Sequence, residues 1–477
     1  MKLVHLFLIF LVTIVAIASA GHALISKRDP KGALGWIAVC LMFPFVGPFL
    51  YFLFGINRVQ TRAKKLHRSL SSQTCFDYER QRDEEGFAVP SLEVTPEFIE
   101  LSRVSDIITR RPLVGGNRVE LLHNGEQAYP AMLETIEGAQ HTLFLTTYIF
   151  RTDNTGRQFI EALARAAERG VDVRVMIDGI GEMYSIPRAG KLLKKRGVRV
   201  ARFLPPRLLP PILHVNLRNH RKIMVADRRI AFTGGMNIGA HHLAEKKENS
   251  FRVIDTHFRL TGPVVTQIEE VFIEDWGFIT GEYMETQPCP PVDTGTAICR
   301  TIVEGPNEDL DKLAMILLGA ISSARRSISI MTPYFIPTRG LLAALQAAAL
   351  RGIHVTVILP SRNNLPLIHW ATRNLLWELL QWGVSIYYQP PPFVHTKLVL
   401  IDNHYLQIGS ANIDPRSLRL NFELAVEVYD KTFAKILAEH FENIRLQSRP
   451  VSLQEMDSRS LPARVRDSLA WLFSPYL

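Results

Sequence analysis

Cysteine is scarce and scattered: Cys40, Cys75, Cys289 and Cys299 are the only four in 477 residues, and none forms a CxxC pair. That excludes a zinc ribbon and a disulfide framework, and is compatible with a reducing cytoplasm. Aromatic residues are sparse within the basic stretches, which counts against a single-strand nucleic-acid binder, where stacking platforms alternate with basic side chains. Apolar residues are not lacking. They make up 47% of the chain and the mean hydropathy is slightly positive, at +0.06, which points to a membrane segment. The net charge of +9 and pI near 9.4 suit an anionic partner, nucleic acid or acidic lipid alike. The length allows two to three domains with cores of their own.

Two apolar runs open the chain. Leu3 to Ile25 is long enough to cross a bilayer, and Ala33 to Phe54 is a second run without charge, with Trp36 and Tyr51 toward its ends. The short Ser26–Lys31 link makes the pair a predicted transmembrane hairpin over residues 1–60, which argues against reading the first run as a signal peptide. Lys2, Arg58, Arg62, Lys64, Lys65 and Arg68 outweigh Lys27, Arg28 and Lys31 in the link, placing both ends in the cytoplasm. Residues 61–110 read as a polar linker with some helix.

Beyond it lies an internal repeat. The segment from Glu137 to Phe150 matches that from Ser322 to Phe335. The helical pattern from Phe159, closed by Gly170, parallels that from Leu341, closed by Gly352, and each runs into a β-branched strand. The strongest copies are HRKIMVADRRIAFTGGMN from His220 and HTKLVLIDNHYLQIGSAN from His395. Matching positions are His220, Lys222, Asp227, Gly234, Gly235 and Asn237 against His395, Lys397, Asp402, Gly409, Ser410 and Asn412. Alternation of Ile223 and Val225, and of Leu398 and Leu400, predicts a strand in each, so the His and Lys two residues apart share a face. A neutral imidazole beside an ammonium suits a phosphate: the Lys neutralises its oxygens while the His attacks phosphorus or moves a proton. The turns after each strand would add backbone N–H groups, the Ser410 hydroxyl and the two Asn amides.

The predicted fold is therefore α/β, with two duplicated domains, residues 111–286 and 301–448, joined by a Pro-rich linker at 287–300 and followed by a tail at 449–477. A pseudo-twofold between the domains would bring both motifs into one site.

Together with LRNHRK before the first motif, GGMNIG after it, FRVIDTHFRLTGP from Phe251, SANIDPRSLRLNFE ending at Glu423, and the apolar hairpin, these paired HxKxxxxD motifs resemble the phospholipase D superfamily and, within it, the bacterial cardiolipin synthases. The resemblance covers about residues 117–443. It implies a phosphohistidine on one His, His220 by family habit, with His395 as acid and then base. It also implies supporting carboxylates at Asp255 and Glu423, which lie at unequal distances after the two motifs. Asp227 and Asp402, counted with the catalytic motif, are expected to brace turns. No carboxylate cluster accompanies the motifs, so neither a metal nor another cofactor is called for.

The resemblance further implies a multi-pass protein of the bacterial inner membrane that takes phosphatidylglycerol and binds anionic lipid rather than nucleic acid. The alternatives are a membrane phospholipase D, a synthase drawing on phosphatidylethanolamine, a nuclease, or a non-catalytic scaffold. The Pro-rich stretch from Phe203 to Leu213 is expected to dip into the bilayer and admit acyl chains. The tail from Leu461 carries a weak interfacial-helix pattern.

Overall fold

The structure, a computed structural model, describes residues 2–27, 30–55, 94–206, 217–249, 251–282, 284, 294–305 and 311–474. It falls into two compact units, residues 1–67 with 206–214, and the remainder.

In the smaller unit, Lys2–Ser26 forms one continuous helix, long and apolar enough to cross a membrane. The second apolar run is not one helix. It forms Pro30–Met42, then Val46–Leu50 and a wider turn at Tyr51–Gly55. Pro44 interrupts it, because a proline offers no amide hydrogen and crowds the preceding turn. After the break the chain folds back closely enough that a Cβ on Gly47 would sit 2.3 Å from the Val39 carbonyl oxygen. Ala20 and Ala23 let the first helix approach Cys40 and Tyr51, and the Tyr51 hydroxyl lies 2.7 Å from His22 Nδ1.

The larger unit is built on one fifteen-stranded sheet. Its first half supplies β1 (Val114–His123), β2 (Thr142–Thr147), β3 (Asp172–Asp178), β4 (Arg199–Phe203), β5 (Ile223–Ala226), β6 (Ile230–Gly234), β7 (Val253–Ile254) and β8 (Thr256–Thr261). The second half supplies β9 (Ala297–Glu304), β10 (Ser327–Met331), β11 (His354–Pro360), β12 (Ser385–Gln389), β13 (Phe393–Val394), β14 (Leu398–Ile401), β15 (Tyr405–Gly409), β16 (Glu423–Tyr429) and β17 (Arg449–Val451). β7 and β13 pair with each other, apart from the large sheet. Outward from the antiparallel β1–β9 junction the order is β1, β8, β6, β5, β2, β3, β4 on one side. On the other it is β9, β16, β15, β14, β10, β11, β12, with β17 added at the edge.

Local sequence explains the elements. The helix Asn154–Glu168 starts at Asp153, whose side chain accepts from Gly156 N, and ends before Gly170 at φ +89°. Its repeat Arg339–Leu350 starts at Thr338, which accepts from Leu341 N, and ends before Gly352 at φ +84°. These helices make the crossovers of the parallel β2–β3 and β10–β11 pairs. Leu341, Leu342, Leu345 and Ala348 face the second core, whereas Phe159, Ile160, Leu163 and Ala166 face the first.

The sheet and its cores extend past the expected domain limits. Helix Ile99–Thr109, at the end of the polar linker, buries Leu101 among Ile316, Leu317 and their neighbours, and Ser105 donates to Glu427 Oε2 at 3.0 Å. β9 begins inside the Pro-rich linker. In the tail, β17 pairs with β12, and Leu461–Leu472 packs along helix Pro366–Leu380. Most of the Phe203–Leu213 loop, and of the Pro288–Gly295 boundary, lies outside the described residues.

Candidate active site

His220 and Lys222 lie in the extended segment just before β5, and His395 and Lys397 in the segment just before β14, so the strands predicted for the motifs begin one residue after each Lys. Each His is held by the opposite half of the sheet. His220 N donates to the Phe422 carbonyl at 2.9 Å, and His395 N donates to the Ile254 carbonyl at 2.8 Å. The side chains cross over in the same way. His220 Nδ1 lies 3.2 Å from Glu423 Oε1, and His395 Nδ1 lies 2.8 Å from Asp255 Oδ2. Each carboxylate follows one motif in sequence and serves the imidazole of the other. With Nδ1–H directed at a carboxylate, Nε2 of each ring is the atom left to meet a substrate.

The lysines flank both rings, Lys397 competing with Asp255 for His395 Nδ1. Lys222 Nζ donates to the His220 carbonyl at 2.6 Å, and Lys397 Nζ donates to the His395 carbonyl and lies 3.0 Å from His395 Nδ1. Burial pushes the Lys222 ammonium down to about 7 and that of Lys397 to about 8. Burial, then the neighbouring lysines, lower both imidazoles, His395 well below its usual range. Burial also raises Asp255 to about 6 against the pull of Lys397. For Glu423 burial acts upward as well, but His220, Lys222 and the Ser410 hydroxyl outweigh it and hold the carboxylate low. The two imidazoles thus share a residue type and differ in partner, which is what opposite proton duties require.

If the two motifs carry the reaction, these shifts predict a pH bell in kcat/KM. The acid limb falls near pH 6, where Asp255 takes up a proton and releases His395. The alkaline limb falls between pH 7 and 8, where the two ammonium groups discharge. In kcat the alkaline limb moves upward, since a bound phosphate anion favours the charged lysines. A kcat/KM flat from pH 5 to 9 would refute this reading.

The turns after the motif strands act one layer out from where the sequence placed them. Gly235 N donates to the Thr256 carbonyl and Ser410 N to the Leu424 carbonyl, so neither amide is free for phosphate. The Ser410 hydroxyl donates to Glu423 Oε2 at 2.5 Å. At the matching position a Cβ on Gly235 would meet Asp255 Oδ1 at 2.3 Å. The shorter carboxylate therefore lies over a glycine, and the longer one bonds to a serine. Asn237 Oδ1 accepts from Ile149 N at 3.1 Å, and Asn412 Nδ2 donates to the Ser417 hydroxyl at 3.3 Å, which joins both amides to neighbouring loops.

Asp227 and Asp402 sit at the far ends of β5 and β14 from the histidines. Asp227 accepts from Gln140 N, His141 N and Thr142 N; Asp402 accepts from Arg325 N, Arg326 N and Ser327 N. Each thereby closes the start of the neighbouring antiparallel strand, β2 or β10, at left-handed φ values of +50° and +52°.

Several site residues carry no signal in the motif spacing. The Tyr148 ring lies 5.0 Å from the His220 ring and the Tyr334 ring 6.3 Å from that of His395. Both tyrosines stand in the repeated segments that end at Phe150 and Phe335, one register position apart. Around His220 the LRNHRK stretch is buried in a charged network. Arg218 donates to Asp178 Oδ1 at 2.7 Å, and Asn219 Nδ2 donates to Asp275 Oδ2 at 3.1 Å. Arg221 pairs with Asp275 and donates to the Glu423 and Glu304 carbonyls, at 3.1 and 3.0 Å. Removing one partner would strand a buried charge, so the network fixes the backbone of both His220 and Glu423.

Comparisons with known proteins give the family. The family described as cardiolipin synthase, PLD-like domain, matches residues 132–276 and 317–445, and a phospholipase D-nuclease N-terminal family matches 7–55. A cardiolipin synthase of Geobacillus kaustophilus is 33% identical over 95% of this chain and 90% of its own length. Cardiolipin synthase A of Pseudomonas entomophila is 31% identical over 99% of this chain and 98% of its own. Phosphatidylserine synthase of Haemophilus influenzae, at 16% identity, shares the fold over 79% of this chain and 100% of its own, with a TM-score of 0.60. With both segments of the cardiolipin synthase family model falling on the two halves that supply the crossed histidines, the chain belongs to the cardiolipin synthases of the phospholipase D superfamily.

Proposed function

We propose that the crossed His pair moves a phosphatidyl group from one phosphatidylglycerol to another, giving cardiolipin and glycerol. His220 Nε2 attacks phosphorus while His395, protonated once the phosphate anion is bound, gives its proton to the departing glycerol oxygen. His395 then takes the proton from a glycerol hydroxyl of the second phosphatidylglycerol, whose oxygen attacks the phosphohistidine and frees His220. Lys222 and Lys397 neutralise the non-bridging oxygens. The observation that carries the reading is the exchange of carboxylates between halves, which gives the two imidazoles different partners in one site.

Product analysis tests it, in vesicles whose only phospholipid is phosphatidylglycerol. Cardiolipin and glycerol are expected in equal amounts. Phosphatidic acid in place of cardiolipin would make water the acceptor, and no product would move the donor role to another lipid, such as phosphatidylethanolamine.

The two halves of the sheet are read as related by a pseudo-twofold, which the matching strand orders support. The apolar segments before Gly55 are read as a two-span hairpin in the inner membrane with both ends cytoplasmic, on the basic residues Lys2, Arg58, Arg62, Lys64, Lys65 and Arg68. A reporter fused after Arg68 is expected to be active in the cytoplasm; activity only outside it would reverse the topology.

A further inference from the structure

The C-terminal helix Leu461–Leu472 is turned inside out for a soluble surface. Leu461, Val465 and Leu469, with Phe473 just beyond, form a stripe at four-residue spacing, the same face of the helix. They are 72%, 50%, 54% and 59% exposed. On the opposite side the helix buries Asp467 completely, where it accepts from Arg459 at 2.8 Å and Arg466 at 2.7 Å. This buried carboxylate fixes the rotation of the helix, since turning the stripe inward would leave its charge without those partners.

The stripe and helix Pro366–Leu380 border a groove of about 580 Å³, with Leu367 and Trp370 on its other side. Toward the N-terminus of that helix the apolar surface runs into the active site. Leu367 and Leu365 are exposed, and Asn364 Oδ1 accepts from the hydroxyl of Tyr334, the ring beside His395. The charged residue lining the groove, Arg466, is basic, and Arg362 and Arg464, near Leu365 and Val465 in sequence, are exposed. A contiguous apolar face of this kind marks an interaction surface. Apolar side chains on one side with arginines flanking them match a helix lying in the interface of an anionic bilayer.

We propose that this face docks on the membrane: the Leu461–Phe473 stripe and Leu365–Leu367 enter the acyl boundary of an anionic bilayer and set the His395 side of the cleft against the lipid. This rests on the reading of phosphatidylglycerol as substrate only for the kinetic half of its test.

The full chain is reconstituted in phosphatidylglycerol vesicles with an environment-sensitive fluorophore on Val465→Cys, Cys75 and Cys289 being replaced by serine. A label on the exposed Glu439→Cys serves as the comparison. Blue-shifted emission quenched at least twofold by acyl-brominated lipid at position 465, and not at 439, is expected. Unquenched emission at 465 overturns the proposal, and a blue shift without quenching does so in favour of contact with a second copy. Independently, the Val465→Asp, Leu469→Asp double variant should lose at least tenfold in kcat/KM on vesicles and stay within twofold on short-chain monomeric phosphatidylglycerol. Equal losses on both would mean a structural role instead. A wild-type protein inactive on both substrates would discredit the donor lipid, while the quenching result would still decide the docking.

Discussion

Replacing His220 or His395 by alanine lowers cardiolipin formation by about 10⁴- to 10⁶-fold, the scale seen when a member of a nucleophile–base unit is removed. The two variants fail at different steps. A phosphatidylglycerol analogue with nitrophenolate as leaving group needs no proton donor, so His395→Ala should still release nitrophenolate once per enzyme and then stall, lacking a base to activate the acceptor. His220→Ala should release none. Stopped-flow absorbance reads the difference, and identical bursts from both variants would contradict the division of labour.

Substitution of the carboxylates separates the crossed site from two independent ones. Glu423→Gln keeps the shape of the side chain and removes the charge 3.2 Å from His220 Nδ1. Loss of the group that holds a catalytic imidazole in its tautomer costs about 10²- to 10⁴-fold in kcat. Because Glu423 serves His220, this variant should be slow in the burst with the activated analogue. Asp255→Asn removes the partner 2.8 Å from His395 Nδ1, so it should be slow with phosphatidylglycerol and recover its burst with the analogue. Sequence order alone assigns these effects the other way round, since Asp255 follows the His220 motif and Glu423 follows that of His395. Rapid-quench kinetics showing Asp255→Asn defective in the burst would support the uncrossed pairing.

The duplication, the strand character of both motifs and the glycine-closed crossover helices were legible because they depend on local spacing. The exchange of partners was not. It arises where β7 pairs with β13 and where Asn219 bridges to Phe422, contacts between segments over a hundred residues apart. For the same reason the sequence names Ser410 and Gly235 but not their purpose, which depends on which carboxylate lies above each. Asp178 and Asp275 left no trace at all, since a buried ion pair looks like any other charge in the sequence. The break in the second apolar run between Met42 and Val46 was legible from Pro44, which lies inside it. The sequence predicts some helix in the polar linker but not the packing of this helix into the core, because its few apolar residues, Phe98 and Leu101 among them, are diluted by charge.

The most direct measurement is to quench His395→Ala after its burst with the nitrophenyl analogue, digest the protein, and locate the phosphatidyl group by mass spectrometry under conditions that preserve phosphohistidine. Modification at His220, stoichiometric with the burst, is the predicted result. Modification at another residue, or a burst that leaves no covalent adduct, would contradict it.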